Sequence, residues 1–322
     1  MSQQRVLVLG GAGFIGQEVV GQLAETDWAV PVVASRSAKA DGPWESIAVD
    51  TRDQASLTVA LTNVYAVVNC VAGEGVAISE GAGALVRAAQ SAGVRRIIHM
   101  STMSVYGKAQ GRIDESYPLK DDIGWYGHAK MEAERRMRDF AAQGGEVVML
   151  RPGCVIGPGS RLWVDRIAGW LKAGRLGNLG AAGDGPANLV DVRDVAQAAV
   201  KALQVPLPES AVAVFNLANP QSPRWNQYFT DLALAIGAIP LKTLGPRRLK
   251  LEAYALGIPL KVLERIAPKV APGSAWVPEG IPPSLLGLWK QQIQLDSAAA
   301  TEVLKVEWTI YFESIINLQT MS

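Results

Sequence analysis

The segment that most constrains this chain is a short apolar run that ends in closely spaced glycines. Residues 6–16 read Val-Leu-Val-Leu-Gly-Gly-Ala-Gly-Phe-Ile-Gly, and apolar residues at helical spacing follow. Glycines here permit a sharp turn from a strand into a helix and let phosphate groups approach the backbone, while the helix N-terminus offers unpaired N–H groups. A plain strand–helix turn is the simpler alternative. The pattern predicts a dinucleotide site at Gly10, Gly13, Phe14, Ile15 and Gly16.

The composition limits the function classes that remain. The chain has 322 residues, 49% of them hydrophobic, and a formal net charge of +1. It is long enough to bury a full core, and its charge gives no reason to expect nucleic-acid binding. No apolar run suggests an integral membrane segment and no signal-peptide pattern is present, so we expect a cytoplasmic location. With two cysteines and two histidines, we expect no metal site.

Strand-like and helix-like segments alternate over the first half of the chain. Short runs rich in apolar residues, such as Arg96–Met100 and Val212–Leu217, are typical of strands buried on both faces. The pattern predicts an α/β protein with a Rossmann-type, doubly wound parallel sheet. The third helix is predicted over Gly81–Ala92, which leaves residues 73–79 as a short, nearly uncharged loop.

Glycines and prolines interrupt this alternation beyond about residue 151. We therefore assign residues 1–160 to a dinucleotide-binding domain, with 187–218 returning to its sheet. Residues 161–186 and 219–322 are assigned to a smaller, mostly helical region that supplies substrate contacts.

A tyrosine and a lysine stand four residues apart at Tyr126 and Lys130, on a helix predicted over 126–142. Residues at this spacing project from one helix face. An ammonium beside a phenol favours the phenolate and lowers the tyrosine pKa. Such a tyrosine can exchange a proton with a carbonyl or an alcohol while hydride moves to or from a nicotinamide. Taken alone, the pair is better explained as a contact on the surface of a helix.

Further segments follow one another in a characteristic order. They are Asp50 after the third strand, Asn69-Cys70-Val71-Ala72-Gly73 after the fourth, Ser-Thr-Met-Ser-Val-Tyr-Gly at 101–107, Arg151-Pro152-Gly153, Val155–Gly159 and Asp191–Ala196. Together with the glycine turn and the Tyr–Lys pair, this set resembles the extended short-chain dehydrogenase/reductase family, also called NAD-dependent epimerases/dehydratases. The resemblance covers nearly the whole chain.

The resemblance implies roles for the residues nearest the chemistry. Tyr126 would be the general acid/base, and Lys130 would lower its pKa and hold the nicotinamide ribose. Thr102 would hydrogen-bond the reacting oxygen, with Ser101 as the alternative. The residues implied to contact substrate are Ser104 and Cys154.

The resemblance also implies the remainder of the cofactor site. Asp50 would accept a hydrogen bond from the adenine amine, or alternatively would cap the following helix. Neighbouring positions complete this part of the site, namely Thr51, Val71, Ala72 and Gly73.

The end of the second strand predicts the choice of cofactor. NAD enzymes of this architecture usually carry an acidic residue there, whereas this chain has Ser35 and Arg36. A guanidinium binds a 2′-phosphate bidentately, so we expect NADP(H) in preference to NAD(H). The simpler alternative is that Arg36 is a solvated loop residue.

The chain departs from the sugar-nucleotide branch of the family. Met103 and Ser104 stand where dehydratases carry an acidic pair, and Cys154 stands where a diphosphate-binding asparagine is common. Arg151-Pro152-Gly153 is closer to the reductases. We therefore expect hydride transfer between a nicotinamide and a carbonyl or alcohol of a small or medium, partly apolar substrate. The alternatives are a nucleotide-sugar epimerase with retained NAD and a non-catalytic dinucleotide sensor.

Residues 242–270 combine seven basic residues with two acidic ones and many apolar ones. A lid over the substrate and peripheral membrane contact are two interpretations, and a helix pair with its charges in water is the simplest. Homodimer formation is a further expectation, which rests on fold analogy alone.

Overall fold

The computed structural model describes residues 3–37, 42–122, 124–207, 211–256 and 280–319. Residues 257–270 of the basic segment therefore lie outside the described residues. The chain divides into two compact units. The first contains Met1–Val155, Val190–Pro220 and Leu295–Thr309, and the second contains Ile156–Leu189, Gln221–Gln294 and Ile310–Ser322.

The strands of the described chain follow the predicted alternation. In order they are β1 (Gln4–Leu9), β2 (Ala29–Ser35), β3 (Glu45–Ala48), β4 (Ala66–Asn69), β5 (Arg96–Met100), β6 (Gly111–Ile113), β7 (Glu146–Pro152), β8 (Cys154–Ile156), β9 (Leu189–Asp191), β10 (Val212–Leu217) and β11 (Ile293–Leu295). Seven of these strands form one sheet in the order β10-β7-β5-β4-β1-β2-β3, in which every neighbouring pair is parallel.

Helices connect the strands. They are α1 (Phe14–Ala24), α2 (Gln54–Ala60), α3 (Gly75–Ala92), α4 (Trp125–Ala142), α5 (Arg166–Lys172), α6 (Val192–Ala202), α7 (Trp225–Ala235), α8 (Pro246–Lys250), α9 (Pro283–Lys290), α10 (Ala298–Glu302) and α11 (Tyr311–Gln319). Short 3₁₀ segments cover Met103–Tyr106 and Gly180–Gly183, and short π-helical segments cover Arg161–Asp165 and Leu251–Leu256.

Both faces of the seven-stranded sheet are buried. Val6 and Val8 of β1 belong to a core cluster that also contains residues of α1, α6 and α10. Leu7 and Leu9 point to the opposite face and join residues of α2, α3 and α4. Each buried side chain of this kind stabilises the fold by roughly 1.5–3 kcal/mol. This arrangement confirms the predicted doubly wound sheet and explains why most positions in its central strands are apolar.

The strand order reverses between β1 and β4. In sheets of this kind, a crevice opens where the chain leaves neighbouring strands in opposite directions, at their carboxyl ends. Here Cys70 N donates to Leu9 O at 2.9 Å. The glycine turn after β1 and the segment after β4 are therefore adjacent, and the elements that follow these two strands form the candidate site.

The second unit is mostly helical and has an aromatic core. Trp225, Phe229 and Trp289 are fully buried, and neighbouring ring centroids lie 5.8 and 5.4 Å apart. Tyr228 donates from its hydroxyl to Trp163 O at 2.6 Å. This unit thus has a core of its own.

Residues 295–309 return to the first unit. Leu304 and Val306 lie in its core cluster, and Ala218 N donates to Ser297 Oγ at 2.8 Å. Thr309 donates to the buried Asp194 carboxylate from its backbone N at 3.1 Å and from its hydroxyl at 2.6 Å. The structure thus places this stretch with the sheet, whereas the sequence pattern groups it with the substrate region.

The third helix starts earlier than predicted. It begins at Gly75 rather than Gly81, so residues 75–79 are helical and the expected loop is shorter. Trp125 covers Gly75 closely, since a Cβ at that glycine would lie 3.3 Å from the indole ring. Packing against α4 outweighs the low helix propensity of glycine at this end of α3.

Candidate active site

The glycine turn after β1 is too crowded for side chains. Gly10 adopts a φ of 73°, and a Cβ there would lie 3.1 Å from Cys70 O. A Cβ at Gly16 would lie 2.2 Å from Gly10 O, so α1 packs directly against the turn. Gly13 precedes α1 and no side chain caps this helix. The free N–H groups and the bare backbone fit the pyrophosphate of a dinucleotide, with the partly buried Phe14 and Ile15 opening the helix.

The end of β2 offers two groups that can hold a ribose or its phosphate. Ser35 Oγ is buried and finds no hydrogen-bond partner in the described part of the chain. Arg36 follows it and is exposed. An unsatisfied buried hydroxyl is costly in free energy, so this end of β2 fits a ligand that would pair with it.

Asp50 lies near this end of β2 but is already paired. Arg52 donates to its carboxylate from Nε and Nη2 at 3.1 and 2.9 Å, and from the backbone N at 3.0 Å. These bonds lower the pKa of Asp50 to about 2, to which Arg36 adds a smaller effect. The alternative that Asp50 caps the next helix is wrong, because Asp53 accepts from Ala55 N at the start of α2. Its contact with adenine stays a prediction.

The other predicted cofactor residues follow β3 and β4. Thr51 packs against α3, since a Cβ at Gly81 would lie 3.2 Å from its hydroxyl oxygen. Ala72 and Gly73 are exposed after β4, and Gly73 has a φ of 111°. Their contact with a cofactor stays a prediction.

Lys130 ties α4 to the ends of two strands. Its Nζ donates to Met100 O at 2.6 Å and to Val71 O at 3.1 Å, and the side chain is 1% exposed. Burial lowers the pKa of Lys130 to about 8, although Cys70 and Glu134 act in the opposite direction. The ammonium is therefore fixed in position by neutral carbonyls.

Tyr126 lies one turn before Lys130 on α4 and is partly buried. Its ring meets Trp125 edge to face, with centroids 5.7 Å apart. Burial raises the pKa of Tyr126. The predicted lowering of this pKa is therefore wrong. The reason is that burial penalises the phenolate while the Lys130 ammonium is directed at backbone carbonyls.

Thr102 and Ser104 place two hydroxyls together after β5. Thr102 Oγ1 accepts from Ser104 N at 3.2 Å and donates to Ser104 Oγ at 3.3 Å. Ser101, the alternative to Thr102, instead donates to Glu134 Oε1 at 2.6 Å, in the interior. The geometry thus favours Thr102 for contact with a reacting oxygen, while the contact of Ser104 with substrate stays a prediction.

A buried ion pair that the sequence pattern does not predict supports this strand end. Arg151 donates to both oxygens of Glu134, from Nε at 2.9 Å and from Nη2 at 2.6 Å, and neither side chain is more than 1% exposed. The Tyr106 hydroxyl accepts from Arg151 Nη1 at 2.8 Å and donates to Asn216 Oδ1 at 2.7 Å. The available signal was spacing, because Glu134 follows Lys130 by four residues on the same face of α4.

A second buried pair lies beneath the segment after β4. Asn69 Nδ2 donates to His99 Nδ1 at 3.2 Å, and Asn69 Oδ1 accepts from Val71 N at the same distance. Burial lowers the pKa of His99 well below its usual range, so its imidazole is neutral. This contact fixes the backbone at Val71, to which Lys130 donates.

Cys154 lies in β8 and is 2% exposed. Burial raises the pKa of its thiol, so it presents a neutral and weakly polar surface. Its contact with substrate stays a prediction. Within the described ranges, no cluster of His, Cys, Asp and Glu side chains could hold a metal ion. In the same ranges, no helix is long and apolar enough to cross a membrane.

Known proteins of related sequence cover about half of this chain. A putative dihydroflavonol 4-reductase from Synechocystis sp. is 30% identical over 168 residues, which are 47% of this chain and 49% of that protein. An N-acetyl-α-D-glucosaminyl-diphospho-ditrans,octacis-undecaprenol 4-epimerase from Escherichia coli O157:H7 is 26% identical over 55% of this chain and 56% of that protein. The matches thus span about half the length of each relative.

Solved structures share the fold over the whole chain. MoeE5 in complex with UDP-glucuronic acid and NAD has a TM-score of 0.74 and 24% identity, over 98% of this chain and 99% of its own. UDP-glucose 4-epimerase from Thermotoga maritima, with UDP-glucose, has a TM-score of 0.73 and 20% identity, over 98% of both chains. These likenesses show the Rossmann-type fold.

The family assignment rests on a match to most of the first unit. The model of the NAD dependent epimerase/dehydratase family matches residues 6–218, from the first strand to the end of β10. This range contains the glycine turn, Thr102, Tyr126 and Lys130. The chain belongs to the NAD dependent epimerase/dehydratase family.

Proposed function

We propose that this enzyme is an NADP(H)-dependent oxidoreductase that transfers hydride between a nicotinamide and a carbonyl or alcohol of a small or medium, partly apolar substrate. The observation that carries the proposal is the attachment of α4 to the strand ends. Lys130 donates to the carbonyls that follow β4 and end β5, and Thr102 stands two residues beyond Met100. Tyr126 lies on the same face of α4.

Each residue has a separate task in the proposed reduction. The nicotinamide, when bound, supplies the hydride. The Tyr126 hydroxyl donates a proton to the substrate oxygen, and the Thr102 hydroxyl orients that oxygen. Since burial raises the pKa of Tyr126, the phenol is protonated at neutral pH and is ready to act as an acid. The Lys130 ammonium stabilises the phenolate that remains after proton transfer.

The charges around β2 support NADP(H) over NAD(H). Arg52 engages Asp50 through a bidentate contact, so the exposed Arg36 makes only a weaker electrostatic interaction with that carboxylate. Beside it, Ser35 Oγ has no hydrogen-bond partner among the described residues. A guanidinium and a hydroxyl at the end of the second strand match a 2′-phosphate better than a ribose diol.

We expect Arg36→Ala to weaken NADPH binding by about tenfold to a hundredfold, because it removes charge-assisted hydrogen bonds. NADH binding should change by less than about threefold, since NADH lacks the 2′-phosphate. Calorimetric titration of both cofactors measures the difference. Arg138→Ala, at an exposed site on α4, is the matched control and should leave both affinities unchanged. Equal weakening of NADPH and NADH binding by Arg36→Ala would overturn the preference.

An epimerase that retains NAD is the second candidate. The observation that favours it is the relative from Escherichia coli, whose name specifies a 4-epimerase of a lipid-linked amino sugar. An epimerase would use the same tyrosine to remove a proton from the sugar hydroxyl and to return it, while the retained cofactor would take hydride from the carbinol carbon and give it back to the opposite face of the transient ketone. A non-catalytic sensor is disfavoured by the complete Thr102, Tyr126 and Lys130 set.

One experiment separates these candidates. The enzyme is purified without added nucleotide and denatured, and the released cofactor is identified by mass spectrometry. Protein without cofactor that reduces carbonyl compounds with NADPH supports the reductase, whereas stoichiometric NAD supports the epimerase. Tyr126→Phe should lower carbonyl reduction by about a hundredfold or more without changing NADPH binding. Tyr65→Phe, at a tyrosine 43% exposed, is the control. Unchanged turnover in Tyr126→Phe would exclude the proposed mechanism.

A further inference from the structure

The described part of the basic segment presents cations and apolar side chains on one surface. Pro246–Leu256 is a continuous helical run, α8 followed by the π-helical segment. Leu251 and Tyr254 are 59% and 56% exposed, although both are large apolar residues. The cations of the same run, all exposed, are Arg247, Arg248 and Lys250.

The inward side of this run is fixed to the second unit. Leu249 and Ala253 are buried at 4% and 0% exposure. Glu252 is also buried and accepts from Arg175 Nε at 3.0 Å. The run is therefore packed against the second unit along one side. The exposure of its outward side chains does not result from a poorly packed helix.

Further positive charge lies beside the run. Arg248 Nη2 donates to Gly174 O at 3.4 Å, and Lys242 Nζ would lie 3.0 Å from a Cβ on the same glycine. Glu252 is the one acidic residue between positions 242 and 256, and it faces inward. We name Lys242, Arg247, Arg248, Lys250, Leu251 and Tyr254 the basic–apolar patch.

We propose that the basic–apolar patch docks the enzyme on the surface of an anionic phospholipid bilayer. A helical run of this kind lies in the plane of the interface, with its apolar residues at the boundary of headgroups and acyl chains. Cations beside it attract anionic headgroups, and tyrosine is enriched at such boundaries because its ring is apolar and its hydroxyl is polar. The proposed contact of the enzyme with the bilayer is peripheral. This inference does not rest on the proposed function.

A lipid surface accounts for the apolar half of the patch, which a soluble anion does not. An anionic polymer would be attracted by Arg247, Arg248 and Lys250, and a single-stranded nucleic acid would also stack on Tyr254, but neither would gain from the exposed Leu251. A simple solvated helix keeps most of its apolar residues inward, as Leu249 and Ala253 are. Two large exposed apolar residues among three cations match an interface that is both anionic and apolar.

The test is co-sedimentation of the full-length chain with vesicles at low ionic strength. We expect binding to vesicles of equimolar phosphatidylcholine and phosphatidylglycerol, weak binding to phosphatidylcholine alone, and release by added salt. Arg247→Gln with Lys250→Gln should weaken binding about 25-fold, since each cation near an anionic surface contributes about fivefold. Leu251→Ser with Tyr254→Ser should weaken it at least tenfold.

Matched controls lie on other helices of the enzyme. Val59→Ser removes an apolar side chain that is 75% exposed on α2, and Arg138→Gln removes an exposed cation on α4. Both should bind vesicles like the wild type, and circular dichroism should show every variant folded. No binding to anionic vesicles at low salt would overturn the proposal. The proposal would also be overturned if the patch variants bound vesicles like the controls. It would be overturned as well if the variant with Leu251→Ser and Tyr254→Ser bound both anionic vesicles and a DNA fragment as tightly as the wild type does. None of these outcomes bears on cofactor binding or turnover.

Discussion

Lys130 is the residue at which folding and chemistry make opposite demands. The proposed reaction needs an ammonium next to Tyr126, yet the side chain is 1% exposed and its hydrogen bonds go to two neutral carbonyls. Burying a charge with neutral partners costs free energy, which lowers the pKa of Lys130 to about 8. The enzyme thus keeps this ammonium at some cost to its stability.

That cost predicts a specific pH dependence of stability. In the unfolded chain, a lysine loses its proton near pH 10.4, so between about pH 8 and pH 10 the unfolded state binds more protons than the native state. Stability therefore rises with pH in this window. Between pH 7.5 and pH 10, we expect the difference in the free energy of unfolding, wild type minus Lys130→Met, to increase by about 2–3 kcal/mol. Urea unfolding at each pH measures it.

The free energies of unfolding of the wild type and Lys130→Met are compared because other groups also titrate in this pH range. Burial raises the pKa values of Tyr126 and Cys70, which makes stability fall with pH in both proteins, although Lys130 partly offsets the shift of Cys70 in the wild type. Lys108→Met, at an exposed lysine, should show no such gain relative to the wild type. Parallel curves for the wild type and Lys130→Met would show that the native pKa of Lys130 is not lowered.

Individual residues were predictable from the sequence where spacing alone decides their placement. Tyr126 and Lys130 share a helix face because they are four apart, and Glu134 follows by the same rule. The partners of Lys130 were not predictable, because they depend on where two separate strands end. The direction of the Tyr126 pKa shift was missed for a related reason, since burial is a property of the assembled fold.

At the scale of elements, α1 carries two glycines with opposite requirements. Gly16 packs against the turn that precedes the helix, where a Cβ would lie 2.2 Å from Gly10 O, whereas a Cβ at Gly21 would meet no atom within 4 Å. We expect Gly16→Ala to lower the free energy of unfolding by about 2–3 kcal/mol, because backbone must move, and to weaken dinucleotide binding. Gly21→Ala should instead stabilise the protein by about 0.5–1 kcal/mol through helix propensity.

The two variants control for each other, since both place the same methyl group on the same helix. Urea unfolding and titration with NADPH provide the two measurements. If Gly16→Ala were as stable as Gly21→Ala and bound the cofactor equally well, close packing of the turn on α1 would not be required for the site.

The bounds of the elements were predictable where the core imposes one pattern. β5 and β10 match their predicted bounds at Arg96–Met100 and Val212–Leu217, because strands in the middle of a covered sheet are rich in apolar residues. The start of α3 was missed, because residues 75–81 include two glycines and are helical only through packing on α4. Low intrinsic propensity concealed a helix that tertiary contacts stabilise.

At the scale of the whole molecule, the alternation of strands and helices identified the sheet but not the full composition of each unit. Residues 295–309 join the first unit through Leu304, Val306 and the bonds from Thr309 to Asp194. Their apolar residues would suit either core, and nothing in their spacing distinguishes the two. Which core a short C-terminal segment joins depends on three-dimensional contacts that a linear pattern does not contain.

This late return has a consequence for how the protein is made. The ribosome releases a chain from its N-terminus, and domains whose residues are contiguous fold as they emerge. Here the core of the first unit is complete only when Thr309 has left the exit tunnel. Leu304 and Val306 belong to that core, so the residues that they contact stay exposed on the nascent chain until then, and a premature stop codon near residue 295 would leave the sheet incompletely covered.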